Sequence, residues 1–60
     1  MKYSTGDIVM KLGSMERYIV LATKDDRNNH PLEEGFDYLI QLESDAGQTE
    51  PVFEEDIERK

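Results

Sequence analysis

An alternating apolar run, broken once by glycine, dictates how this chain begins. Ile8, Met10 and Leu12 alternate with Val9 and Lys11, Gly13-Ser14 interrupts, and Tyr18-Ile19-Val20-Leu21 resumes the apolar character. A strand places Ile8, Met10 and Leu12 on one face, whereas helical spacing would scatter them around a cylinder. Gly13 tolerates positive φ, and the aromatic and β-branched residues beyond it suit a pleated, half-buried surface. The stretch therefore reads as two antiparallel strands, Asp7 to Leu12 and Glu16 to Thr23, joined by a tight turn. A lone hairpin is marginal in water, so the rest of the chain must supply further strands.

The second strand constrains the architecture further. Tyr18, Val20 and Ala22 share one face and Ile19 and Leu21 the other, so both faces are apolar near its middle. Such a strand is central in a sheet, or it curves so that each face meets different neighbours. Lys24 to Gly35 then breaks the pattern with a polar run containing Pro31, which reads as one long loop. Phe36 to Glu43 is a third strand with Phe36, Tyr38, Ile40 and Leu42 on one face. Ser44 to Gln48 is a short turn. Thr49 to Phe53 is a fourth strand, and Pro51, which cannot donate to a ladder, assigns its position to an edge or an outward-facing site. Glu54-Glu55-Asp56 is too short for an independent helix and predicts one tight turn before a brief fifth strand that buries Ile57. The tail Arg59-Lys60 is expected to fray.

With 60 residues and no cysteine, the chain is one domain that buries only about 60% of its unfolded surface and has no disulfide or thiolate metal site to assist it. Closing the sheet removes exposed edges and uses a small core well. The expectation is an all-β fold, a small five-stranded antiparallel barrel with one long loop between strands 2 and 3. Its interior is expected from Ile8, Met10, Val20, Ala22, Ile40, Leu42, Val52 and Ile57, with Ile19, Leu21 or Leu39 capping the ends.

Fourteen Asp and Glu against seven Lys and Arg give a net charge of −7. That balance opposes direct nucleic-acid binding and anionic membranes, and allows a basic protein partner. The opening residues lack a long apolar run, so neither a signal peptide nor a membrane span is expected, and a cytoplasmic location follows.

The order of features is similar to small bacterial SH3-like barrels, including Tudor-like and KOW-type domains and the YodC-like family of short proteins. Gly6-Asp7-Ile8-Val9, Tyr18-Ile19-Val20-Leu21, Tyr38-Leu39-Ile40-Gln41-Leu42 and Val52-Phe53-Glu54-Glu55-Asp56-Ile57-Glu58 carry the likeness. It implies an SH3-like barrel over nearly the whole chain. A peptide-binding SH3 domain has a long loop between its first two strands, which is absent here, and KOW-type relatives often bind RNA, which the acidity opposes. One barrel hosts many functions, so fold is what the resemblance implies.

Candidate sites concentrate around the long loop, because a loop of that length in a compact domain tends to be functional or mobile. It carries Asp25, Asp26, His30, Glu33 and Glu34. An EF-hand reading fails, since Asp25 to His30 puts Arg27 at the third position and His30 at the sixth, where glycine is needed. No metal or cofactor is expected, and neither a nucleophile with its base nor a deep cavity suggests an enzyme. The five aromatics, Tyr3, Tyr18, Phe36, Tyr38 and Phe53, read most simply as core and rim packing; if any bind, Tyr3, Tyr18 and Tyr38 are the choice, because their hydroxyls tolerate water. The simplest reading of the acids is a solvated face, and the sharper one a patch for basic protein segments. Together these predict a non-enzymatic module binding another protein through an acidic and aromatic surface. The alternatives are an acidic decoy that mimics nucleic acid towards a nucleic-acid-binding protein, and an oligomerising structural subunit.

Overall fold

The computed structural model describes residues 2–26, 30 and 32–59. Five antiparallel strands form one sheet in the order β4-β3-β2-β1-β5: β1 (Ile8–Lys11), β2 (Arg17–Thr23), β3 (Tyr38–Leu42), β4 (Thr49–Val52) and β5 (Ile57–Arg59). A 3-10 turn, Glu54–Asp56, leads from β4 to β5. The all-β, antiparallel, five-stranded architecture agrees with the sequence pattern. The ladder itself stays open between β4 and β5, and this turn bridges the gap covalently.

The sheet is strongly curled, and one ion pair makes this plain. β1 and β4 are three steps apart in strand order, which in a flat sheet is about 14 Å. Lys11 Nζ nevertheless meets both carboxylate oxygens of Glu50 at 2.9 Å. Side chains from all five strands converge inside the curl: Val9, Val20, Tyr38, Ile40, Val52 and Ile57, with Tyr3 from the lead-in segment. Glu50 also holds the Lys11 ammonium above its ordinary pKa, chiefly by hydrogen bonding.

β1 presents the opposite face from the one expected. Val9 is fully buried, Ile8 and Met10 are half-buried on the other side, and Leu12 is exposed. Ile8, Val9 and Met10 are all apolar, so alternation alone does not choose between the faces. Pairing decides: Val9 lies opposite Tyr18 on one side and Arg59 on the other, and Tyr18 packs on the core. Leu42 is likewise only half-buried.

A bulge in β2 produces the second correction. Val20 pairs with Ile40 but Ala22 pairs with Leu39, so Leu21 is an extra residue on β2. One inserted residue reverses the alternation beyond it. Ala22 therefore leaves Val20's face and joins Leu39 and Leu32 in a separate cluster, with Leu21 and Phe36 packed against it. Thr23 turns opposite Tyr38 and is buried. The long loop is thus more than a solvated connection, because Leu32 inserts into this second cluster. Within it Arg27, Asn28, Asn29 and Pro31 lie outside the described residues, as does Lys60 of the tail. Arg59, expected to fray, instead pairs with Val9, and its guanidinium reaches Asp7 and the Lys2 carbonyl, each at 3.5 Å.

Both sheet edges are chemically blunted. The Leu42 N–H to Gln48 carbonyl bond sets the ladder phase, so Thr49 and Pro51 turn their main-chain groups away from β3. Pro51 has no N–H, and the Phe53 N–H is taken by the Asp56 carboxylate at 3.3 Å. On β5, the outward Ile57 N–H bonds the Glu54 carbonyl, and its carbonyl accepts the Tyr3 hydroxyl at 3.4 Å. No helix among the described residues is long and apolar enough to cross a membrane.

Val9→Ala should cost on the order of 2 kcal/mol in urea unfolding, and Met10→Ala less, although methionine is larger. Equal losses would contradict the observed orientation of β1.

Candidate functional site

Two of the three tyrosines chosen for a binding surface lie in the core. Tyr3 and Tyr38 are 2% and 0% exposed and meet edge to face at 5.6 Å. Their hydroxyls find partners inside the fold: the Tyr3 N–H donates to the Tyr38 hydroxyl at 3.1 Å, and that hydroxyl donates to Glu54 Oε1 at 3.2 Å. Burial first, and then the Glu54 carboxylate, push the Tyr38 phenol above its ordinary pKa, so it keeps the proton it donates. Lys2 and Arg59 lie 5.7 and 5.6 Å from the Tyr3 ring centre. The cation sites at that ring are filled by the chain itself. Tyr18 is half-buried against the core.

The loop acids split between two surfaces. The Asp25 and Asp26 N–H groups donate to Thr23 Oγ1 at 3.2 and 3.0 Å, closing a local turn. Asp26 joins Tyr3, Ser4, Thr5 and Thr23 around a shallow polar depression of about 350 Å³. His30 is half-buried, and its carbonyl accepts the Leu32 N–H at 3.0 Å. Glu33 and Glu34 are exposed in the turn closed by the Phe36 N–H to Glu33 carbonyl bond at 3.3 Å. They adjoin an aromatic pair that sequence reasoning did not single out.

That pair is Phe36 and Phe53, stacked at 4.8 Å with an interplanar angle of 29°. Phe36 rests on the second cluster, while Phe53 is 42% exposed. The chain bends at Asp37, so Phe36 leaves the Tyr38 face on which strand periodicity had placed it. The Asp37 N–H donates to the Val52 carbonyl at 3.0 Å, and its carboxylate accepts the Glu54 N–H at 2.8 Å. The residues that follow the two rings in sequence are therefore tied to each other. The Glu54 N–H, and with it Lys24 Nζ at 3.3 Å, holds the Asp37 carboxyl below its ordinary pKa. One sequence signal points to Phe53: two residues after an edge proline, it shares Pro51's outward face.

The pair forms an exposed aromatic shelf, flanked along the chain by Glu33, Glu34, Glu54 and Glu55. Such a surface can take an apolar side chain or a cation against the ring and a second cation at the carboxylates. Among the described residues, no group of three or more His, Asp or Glu side chains converges as a metal site. Comparison with protein-family models, with curated proteins and with solved structures found no match.

Asp37 binds its proton more weakly in the folded chain than in the unfolded one. Its stabilisation is therefore complete above the ordinary aspartate value of about 3.9 and is lost as pH falls through the lower folded value. The stability gap between wild type and Asp37→Asn should be widest near neutral pH and shrink in acid. A gap independent of pH, measured by urea unfolding, would contradict the clamp.

Proposed function

We propose that this chain is a non-enzymatic protein-interaction module of the cytoplasm, binding a basic segment of another protein on the shelf formed by Phe36 and Phe53. The observation that carries the reading is a large aromatic ring held by two hydrogen bonds at Asp37 yet left 42% exposed beside carboxylates. A ring needed only for packing gains more from burial. The Glu33, Glu34 and Glu55 carboxylates carry no ion pair or hydrogen bond among the described residues, so they can meet a partner's cations without breaking an internal pair. The net charge of −7 would speed encounter with a basic partner. The likeness of the sequence to small SH3-like barrels fits a curled five-stranded sheet and belongs to the same proposal.

Ring and charge contribute separately, which also distinguishes this reading from a purely ionic decoy. Against an array of Lys- and Arg-rich peptides, Phe53→Ala should weaken binding by about tenfold or more while keeping the wild-type thermal transition. Glu33→Gln with Glu34→Gln should weaken it less and flatten its salt dependence. Undiminished binding by Phe53→Ala, or no binding by wild type, would overturn the proposal.

A further inference from the structure

We infer that the end of the sheet around the acidic 3-10 turn docks an amphipathic, basic α-helix of a partner protein, with Leu12, Met15 and Phe53 as its apolar contacts. This rests on the interaction-module reading and adds to it the partner's secondary structure and two anchor residues away from the aromatic shelf.

The large apolar side chains exposed among the described residues are Leu12 at 56%, Met15 at 89% and Phe53 at 42%. They come from distant parts of the sequence, and main-chain hydrogen bonds bring their segments together. The Leu12 N–H bonds the Asp56 carbonyl at 2.9 Å, and the Asp56 N–H bonds the Phe53 carbonyl at 3.0 Å. Met15 extends from the same hairpin turn as Leu12, a turn closed by the Ser14 N–H to Lys11 carbonyl bond and by Gly13 at a φ of 85°. Exposed apolar groups scattered singly need no explanation, but a cluster rimmed by charge marks a contact surface.

The rim is acidic in its available charge. Lys11 is held by both oxygens of Glu50, and Arg17 by Glu43 at 3.6 Å. Glu16 and Glu55 have no such partner among the described residues. A complementary ligand is thus apolar where it meets Leu12, Met15 and Phe53, and basic on its flanks.

The partner's backbone follows from the sheet edges. An extended segment gains affinity by adding to an edge, but Pro51 removes the central donor of β4 and Asp56 takes the Phe53 N–H. On β5, Glu54 and Tyr3 occupy the outward groups of Ile57. A ligand here must satisfy its own main-chain hydrogen bonds. A helix does so, and it presents apolar anchors at i, i+3 or i+4, and i+7 from one face.

The test uses three designed peptides of identical Leu and Lys content, with leucines at helical spacing, in strict alternation, or scrambled. Each is titrated into isotopically labelled protein at low salt and followed by amide chemical shifts and circular dichroism. The helical-pattern peptide should bind about tenfold more tightly than the other two, gain helical signal on binding, and shift Leu12, Met15 and Phe53. Leu12→Ser with Met15→Ser should remove that advantage; if the double variant melts early, Met15→Ser alone, at the most exposed position, should reduce it. Equal binding of all three peptides with shifts confined to Phe36 and Phe53 would overturn the helix inference and leave the interaction reading standing. Tightest binding by the alternating peptide, with shifts at Thr49 or Arg59, would overturn it in favour of strand addition. Binding of none would overturn both. A protein that sediments as a dimer, and becomes monomeric in the double variant, would show a second copy to be the occupant and overturn the helix inference.

Discussion

The hydroxyl of Tyr38, a fully buried residue, is the point on which the rest of the structure depends. It accepts the Tyr3 N–H and donates to the Glu54 carboxylate, so one atom joins the lead-in segment, the third strand and the turn between β4 and β5. The lead-in segment and that turn lie outside the ladder, and the hydroxyl ties both to a strand in its middle. A ring edge packed on Tyr3 adds dispersion to the same contact, and the network has no buried side-chain polar atom left unpaired among the described residues. In a domain this small, an apolar core alone leaves a thin margin. A satisfied polar network contributes specificity by fixing where the turn sits.

The second constraint is the extra residue at Leu21. It lets one strand serve two apolar clusters, with Val20 inside the curl and Ala22 on the outer face. The outer cluster gives Leu32 a seat, and with it gives the long loop an anchor and Phe36 a base. Phe53 stacks on Phe36 rather than entering the core. The exposed ring at the candidate site thus rests, through Phe36, on the cluster that Ala22 joins by way of the bulge in β2, and the Asp37 clamp ties the residues that follow the two rings.

Much of the fold was legible in the sequence because local chemistry determined it. Gly13 marked the first turn and sits at positive φ, Pro51 marked an edge, and Glu54-Glu55-Asp56 marked a single turn before Ile57. The face of β1 was not legible, because Ile8, Val9 and Met10 satisfy either orientation. The bulge was not legible either, since it has no glycine signature and depends on pairing with β3. The choice of tyrosines over phenylalanines for a binding surface rests on the premise that hydroxyls tolerate water. Tyr3 and Tyr38 find equivalent partners inside, and the phenylalanines, which carry no such handle, are left at the rim. Leu32 was hidden in a polar run where one apolar residue carries no period.

The most direct measurement of this account is the equilibrium unfolding of Tyr38→Phe, which removes one oxygen and leaves the ring. The account predicts a loss of roughly 1–3 kcal/mol, because the Tyr3 N–H and the Glu54 carboxylate lose their shared partner, together with faster amide hydrogen exchange at Tyr3. Wild-type stability and unchanged exchange at Tyr3 would contradict the claim that this hydroxyl joins the lead-in segment to the turn after β4.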